Sequence, residues 1–128
     1  MEEIIRRDLA NGHAIDITTT GRMTGLPRRI EIVFHNIDGR IFISGMPRAD
    51  RTRAWLHNLA ADPRFTFHLK GTVKADLPAS ARIIVDPLER RSILERIAPV
   101  WRQNVEAMVA HSPLIEVELE GHAPDRAA

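Results

Sequence analysis

The chain has 128 residues, enough for one domain with a single hydrophobic core. It is 44% hydrophobic and 27% charged, an ordinary globular composition, and it contains no cysteine, which excludes disulfides and cysteine metal sites. A net charge of only +1 provides no overall attraction to nucleic acid, and no apolar stretch approaches the ~18 residues of a membrane span. We expect a cytoplasmic protein, because the first residues lack the basic-then-apolar order of a secretory signal.

Several short segments are rich in β-branched residues or alternate apolar and polar side chains, and each is predicted to be a strand. Asp38-Gly39 lies between two of them and predicts a tight hairpin. A further strand is expected to close at residues 83–85, after Pro78. The short spacing of the strands predicts a small antiparallel barrel or sandwich. The other predicted strands cover residues 14–20, 28–37, 41–45, 65–70 and 115–120.

Helices are predicted at the start of the chain and in the two long gaps between strands, over residues 2–9, 52–61 and 86–111. In the last region Asp86 is the expected N-cap, followed by proline at the first helical position. Pro99 is expected to kink or break this helix, and a new one is expected to start at Asn104. We expect one domain over residues 1–121 and a loose tail over residues 122–128.

Positive charge is concentrated in the segment TTTGRMTGLPRR, residues 18–29, which joins the first two predicted strands. Its glycines allow a ligand to approach the backbone closely, and its arginines suit phosphate or carboxylate. Arg28 and Arg29 are adjacent in a strand and therefore point to opposite faces, so only one can belong to a given pocket. A second basic loop, GMPRADRTRAW at residues 45–55, precedes a helix. The two loops are either an anion site or solvated surface.

The sequence was also examined for metal ligands, proton donors and nucleophiles. The histidines show no metal-ligand spacing, although His35 or His68 could donate a proton if its strand faces a pocket. The serines have no base in a recognisable arrangement. Glu116, Glu118 and Glu120 occupy every second position of one predicted strand and are interpreted as a solvated face.

The segment TTTGRMTGLPRR, followed by a hairpin and then SGMPRADRTRAWLHNLAADPRFTF, resembles the deazaflavin-dependent nitroreductase and quinone reductase family. The resemblance implies a six-stranded antiparallel split β-barrel of the FMN-binding type, with the helical region of residues 86–111 packed beside it. It also implies coenzyme F420, a 5-deazaflavin, and hydride transfer to a small conjugated acceptor such as a quinone or nitroaromatic. The resemblance also implies a homodimer, and it implies no nucleic-acid partner.

Matching the family motifs to this sequence gives the candidate coenzyme residues. Met23 stands where a phosphate-binding lysine is usual, the second loop also lacks the family lysine, and the chain has no tyrosine. Arg48, Arg51 and Arg53 are expected to supply the missing positive charge. These departures leave FMN, or a flavin-type binding protein without turnover, as the alternative. The resemblance assigns coenzyme contacts to Gly21, Arg22, Met23, Thr24, Gly25, Pro27, Arg28, Gly45, Met46, Arg48, Arg51, Trp55 and Asn58.

Overall fold

The computed structural model describes residues 2–50 and 53–121. The expected loose tail and the predicted contacts of Arg51 therefore lie outside the described residues. The helices within these ranges are α1 (Glu3–Leu9), α2 (Ala54–Ala61), α3 (Pro87–Trp101) and α4 (Val105–His111). The strands are β1 (Ala14–Thr20), β2 (Pro27–Ile37), β3 (Arg40–Ser44), β4 (Arg64–Lys70), β5 (Lys74–Ile83) and β6 (Leu114–Leu119).

The strands form a closed barrel in the order β1-β2-β3-β6-β5-β4, and every pairing is antiparallel. The predicted six-stranded antiparallel barrel is therefore confirmed. Every strand has a hydrogen-bonded neighbour on each side, but residues 27–33 of β2 pair with β1 and residues 34–37 pair with β3. No helix within residues 2–50 and 53–121 is both long and apolar enough to cross a membrane.

The barrel interior is filled by alternate side chains of its strands, as a small barrel requires. Phe34 and Phe67 meet edge to face with ring centroids 5.3 Å apart. The helices α3 and α4 pack outside the barrel, on a second apolar cluster that includes Phe42, Leu94 and Met108. The first cluster therefore stabilises the barrel and the second attaches the helical region beside it. Fully buried interior residues include Ile15, Ile17, Phe34, Ile43, Phe67 and Ile115.

Local signals in the sequence correctly predicted several turns and caps. Asp38 and Gly39 both have positive φ, +54° and +85°, as the two-residue hairpin turn between β2 and β3 requires. The side chain of Asp86 accepts a hydrogen bond from the backbone N–H of Glu89 at 2.9 Å, which caps α3. Asn104 caps α4 in the same way.

The prolines interrupt the elements less than predicted. Pro78 lies inside β5, because its carbonyl still accepts a hydrogen bond from the backbone N–H of Glu120 at 3.0 Å. The helix α3 passes through Pro99 and ends at Trp101, where the left-handed Arg102 terminates it with φ +54°. The expected break at Pro99 is therefore wrong, because α3 continues through the proline for two more residues. A proline removes one backbone hydrogen bond of the helix, and here the helix ends soon after it.

The interpretation of the β6 glutamates as one solvated face is wrong for Glu116. Its side chain is buried, and its carboxylate binds the guanidinium groups of Arg40 and Arg82 from the neighbouring strands β3 and β5. Glu118, further along the strand, and Glu120, just beyond its end, are exposed as expected. The alternation correctly placed the glutamates on the outer face of the barrel. At Glu116 this face is covered by Arg40 and Arg82, whereas at Glu118 it is open to solvent.

Candidate functional site

The loop between β1 and β2 is a closed, hydrogen-bonded turn. The backbone N–H of Gly21 donates to the carbonyl of Leu26 at 2.8 Å, and the N–H of Gly25 donates to the carbonyl of Gly21 at 2.8 Å. The side-chain oxygen of Thr24 accepts a further bond from the N–H of Leu26 at 3.1 Å. Three hydrogen bonds within the loop therefore help to set its shape.

Both glycines of this loop are needed for its shape. Gly25 has φ +71°, a conformation that side chains with a Cβ rarely adopt. A Cβ on Gly21 would lie 2.8 Å from the side-chain oxygen of Thr24 and 3.1 Å from the carbonyl oxygen of Leu26. Any larger residue at position 21 would push the turn open. The glycines thus shape the loop as well as allowing approach to it.

The helix α2 is tied to this loop by one buried side chain. The side-chain oxygen of Asn58 accepts a hydrogen bond from the backbone N–H of Arg22 at 3.0 Å. Its amide nitrogen donates to the side-chain oxygen of Thr19 at 3.1 Å. Asn58 is only 5% exposed and Thr19 only 2%, so these bonds are shielded from water.

A cavity of about 330 Å³ lies between the loop, β2 and the start of α2. Seven of the residues predicted from the sequence line it, and Thr19, Ile30 and Ala54 were missed. Thr19 and Ile30 follow from strand alternation once the inward face is known, because Ile30 is two residues beyond Arg28. The lining residues are Thr19, Gly21, Arg22, Met23, Thr24, Arg28, Ile30, Ala54, Trp55 and Asn58.

The residues that line the cavity include two arginines, two residues with backbone N–H groups unpaired within the described part of the chain, and apolar side chains. Arg22 and Arg28 are the charged residues among the described lining residues. The backbone N–H groups of Met23 and Thr24 make no hydrogen bond within the described ranges 2–50 and 53–121. Successive free N–H groups beside cations form an anion-binding site. Trp55 and Ile30 provide the apolar side.

Arg29 faces away from this cavity, as the strand alternation predicted. Its Nε donates to the carboxylate of Asp16 on β1 at 3.0 Å, on the outer face of the barrel. Lys70 binds the same carboxylate at 2.7 Å. Hydrogen bonds from Lys70 and then Arg29 lower the pKa of Asp16 below its ordinary value of 3.8.

The matching family model describes an F420H2-dependent quinone reductase and covers residues 4–109. The chain belongs to this family. It is therefore an F420-dependent reductase, and its cofactor is coenzyme F420. The alternative of an FMN-binding protein without turnover is not better supported.

Similar solved structures have the same fold at low sequence identity. An F420H2-dependent reductase is 18% identical with a TM-score of 0.60, covering 82% of this chain and 93% of the other. A putative 5-nitroimidazole antibiotic resistance protein from Bacteroides thetaiotaomicron is 13% identical with a TM-score of 0.62, covering 93% and 80%. A chain described as a domain-swapped dimer is 18% identical with a TM-score of 0.63, covering 91% and 95%. A search of curated proteins finds no significant match.

The residues of the cavity fit this coenzyme. A phosphorylated and acidic molecule needs cations and N–H donors, which Arg22, Arg28 and the free amides of Met23 and Thr24 provide. Its planar ring needs an apolar surface, which Trp55 and Ile30 provide. The absence of acidic side chains among the described lining residues agrees with an anionic ligand.

Residues 45–50 and Arg53 of the second basic loop are not among the cavity-lining residues. Gly45 is packed tightly, since a Cβ there would lie 3.0 Å from Pro113 and 3.3 Å from the side chain of Arg53. Arg53 in turn donates to the carbonyl of Met46. Arg48 is exposed and pairs with Asp50, its Nε 3.3 Å from the carboxylate. Gly25 and Pro27 belong to the first loop but do not line the cavity either.

Neither histidine considered as a proton donor lines the cavity. His68 lies on the outer face, between the hydroxyl of Thr18 at 2.7 Å and the carboxylate of Asp76 at 2.6 Å. The hydrogen bond from His68 lowers the pKa of Asp76 below 3.8. Thr18, His68 and Asp76 are arranged like the nucleophile, base and acid of a catalytic triad. Thr18, however, lies inside the sheet, where it pairs with Arg29 of β2 and Thr66 of β4. Its backbone is thus engaged in the sheet, and it offers no oxyanion donor for acyl transfer.

His35 occupies a different cavity, of about 250 Å³, between β2 and α3. Its ring lies 5.2 Å from that of Trp101, and its Nε2 has no hydrogen-bond partner within the described residues. Burial lowers the pKa of His35 below its ordinary value of 6.5, so the ring is neutral. Within residues 2–50 and 53–121 no group of three or more metal-ligating side chains comes together.

Proposed function

We propose that this reductase transfers a hydride from reduced F420 to a quinone, with the coenzyme bound in the cavity between the β1–β2 loop and α2. The observation that carries the proposal is the meeting of two arginines, two free backbone N–H groups and an apolar wall in that one cavity. An exposed loop of solvated charge would need no such enclosure. The family match supports the reaction class. The lining of the cavity supports this cavity as the binding site of the coenzyme.

The phosphate end of the coenzyme is proposed to bind at the turn. The N–H groups of Met23 and Thr24 donate to phosphate oxygens, and Arg22 and Arg28 provide charge-assisted bonds. Backbone donors of this kind replace a lysine at position 23, because their position does not depend on the side chain. Gly25 and Pro27 contribute by fixing the turn rather than by contact.

The ring of the coenzyme is proposed to lie against Trp55, Ile30 and Ala54. When bound, reduced F420 supplies the hydride, and the apolar side chains orient the ring and exclude water. Conversion of a quinone to a quinol requires one hydride and one proton. The described lining residues include no group that titrates near neutral pH, so the proton comes from water.

The second loop is proposed to bind the acidic tail of the coenzyme. Arg48 is exposed, and its bond to Asp50 is a weak surface pair that a carboxylate of the tail can replace. Gly45 and Met46 shape this loop through their contacts with Arg53. Arg51, which lies outside the described residues, is assigned to the same tail.

The proposed assembly is a cytoplasmic homodimer, and a monomer mass in solution would contradict the dimer.

Nitroaromatic compounds are a second candidate class of acceptor. The support is the similarity in fold to the putative nitroimidazole resistance protein, together with a cavity whose apolar wall does not distinguish planar acceptors. Both classes accept a hydride at an electron-poor conjugated system.

The test is coenzyme binding followed by turnover. Purified protein is incubated with F420 or with FMN, separated from free ligand, and examined by its absorbance spectrum. We expect F420 to be retained and FMN to be lost. Oxidation of reduced F420 is then followed after addition of a soluble quinone or a nitroimidazole. Retention of FMN alone, or no acceleration by either acceptor, would contradict the proposal.

A further inference from the structure

Asn58 uses both ends of its side-chain amide within the protein. An asparagine amide offers one carbonyl acceptor and one NH₂ donor group. The carbonyl oxygen accepts from the backbone N–H of Arg22 at 3.0 Å, and the NH₂ group donates to Thr19 at 3.1 Å. Asn58 and Thr19 are both more than nine-tenths buried. The side chain lines the cavity, yet its polar atoms are already partnered.

These two bonds join three separate parts of the site: the helix α2, the end of β1 and the turn. The N–H of Gly21 is held by Leu26, and that of Arg22 is held by Asn58. The next two amides, those of Met23 and Thr24, are left unpaired within the described residues. Asn58 therefore determines where along the turn the free donors begin.

We propose that Asn58 is a positioning residue, which holds the turn in its anion-binding shape through Arg22 and Thr19 without contacting the coenzyme. The proposal rests on the proposed function only for the identity of the anion. Its structural part, the restraint of the turn, holds with or without coenzyme. Asn58 is only 5% exposed, but its amide keeps one further donor and one further acceptor position. The Thr19 variants below therefore separate restraint of the turn from a direct contact with the coenzyme.

The neighbouring threonines provide a matched pair of variants. Thr19→Val removes the hydroxyl that accepts from Asn58 on the inner face of β1. Thr18→Val removes a hydroxyl of the same size on the outer face, where its partner is His68. The two substitutions have the same chemistry and adjacent positions, so they separate an effect on the cavity from a general effect on the strand. Thr19→Ser keeps the hydroxyl and serves as the rescue.

The first measurement is amide hydrogen exchange of the protein without coenzyme. We expect the N–H of Arg22 to be protected in the parent and in Thr18→Val. In Thr19→Val and in Asn58→Ala we expect its exchange to be faster, by about tenfold in Asn58→Ala if the bond is lost from the folded state. Unchanged protection of this amide in both variants would overturn the positioning role. If Asn58→Ala does not fold, Thr19→Val decides the question.

The second measurement is the dissociation constant for F420. We expect Thr19→Val to bind about fivefold more weakly, the effect of one lost hydrogen bond, and Thr18→Val to bind as the parent does. Thr19→Ser should recover the affinity that Thr19→Val loses. Loss of affinity in Asn58→Ala with no loss in Thr19→Val would indicate a direct contact and overturn the proposal. Failure of the parent itself to bind F420 would contradict the proposed function instead, and the exchange experiment would still decide whether Asn58 restrains the turn.

Discussion

Glu116 on β6 accepts two parallel hydrogen bonds from the guanidinium of Arg40 on β3, at 2.9 and 2.8 Å. The same carboxylate accepts a third bond, from Arg82 on β5, at 2.8 Å. Three adjacent strands of the barrel are thus joined at one buried group. The hydrogen bond from Arg40, and then that from Arg82, lower the pKa of Glu116 below 4.5, so it stays ionised at neutral pH.

Replacing this carboxylate should destabilise the barrel. Glu116→Gln keeps the shape of the side chain but removes its charge, and we expect a loss of about 1–3 kcal/mol in the free energy of unfolding. Glu118→Gln, two residues along on the same strand and exposed, should change it by less than about 0.5 kcal/mol. Urea denaturation of the two variants checks this. Equal stability of both would mean that the buried network contributes nothing net.

Acid should weaken the packing of α3 on the barrel through His35. This ring is neutral in the folded protein, whereas in the unfolded chain it binds a proton as the pH falls below about 6.5. The stability that the neutral ring contributes is therefore fully present above pH ~6.5. It is lost as the pH falls toward the lowered pKa of His35 in the folded protein.

The His35 effect is measured by the pH dependence of unfolding between neutral and mildly acidic pH. We expect a slope of at most about 1.4 kcal/mol per pH unit from this group, and we expect His35→Gln to remove it. His57→Gln, at an exposed position of α2, should retain the slope. An unchanged slope in His35→Gln would assign the acid sensitivity to other groups.

Restoring the family lysine should strengthen coenzyme binding. Met23 is 86% exposed at the rim of the cavity, so a lysine fits there without displacing other side chains. Because the new charge is solvated, we expect Met23→Lys to tighten F420 binding by up to about fivefold. The control is Leu26→Lys, which adds the same charge to the same loop outside the cavity lining. Equal gains in both variants would indicate only general attraction of the anion.

Arg48 should contribute to the tail through a salt-sensitive interaction. We expect Arg48→Ala to weaken F420 binding by up to about fivefold at low ionic strength and to have little effect near 1 M salt. Arg64 forms a similar exposed pair with Asp62, at 3.2 Å, in another part of the protein. Arg64→Ala removes the same charge and should not alter binding. A matching effect of the two substitutions would show that only net charge matters.

Much of the fold could be predicted because its signals are local. The hairpin at Asp38-Gly39 and the cap at Asp86 depend on residues within one turn of each other, and the structure has both. The environment of Pro78 and Glu116 depends on which strands lie beside them. Their neighbours are far away in sequence, and no periodicity reveals that Arg40 and Arg82 converge on one carboxylate.

The candidate site likewise has a part that could be predicted from local sequence and a part that depends on contacts between distant residues. The turn was predictable because its glycines and arginines are contiguous, and alternation correctly placed Arg28 and Arg29 on opposite faces. Thr19 was missed because its role depends on a contact with Asn58, 39 residues away. The sequence left open whether the second loop joins the anion site. In the structure Arg48 pairs with Asp50, while Trp55 at the end of the same segment lines the cavity.

The most direct test of the account is a fluorescence titration of F420 into the parent protein, Arg28→Ala and Arg29→Ala. Arg28 lines the cavity, so we expect its loss to cost about 1.5–3 kcal/mol of binding, which is at least about tenfold in the dissociation constant. Arg29 pairs with Asp16 on the outer face, so its loss should cost no more than about 1 kcal/mol. If the two variants bind F420 as tightly as the parent, the cavity beside the β1–β2 turn is not the coenzyme site.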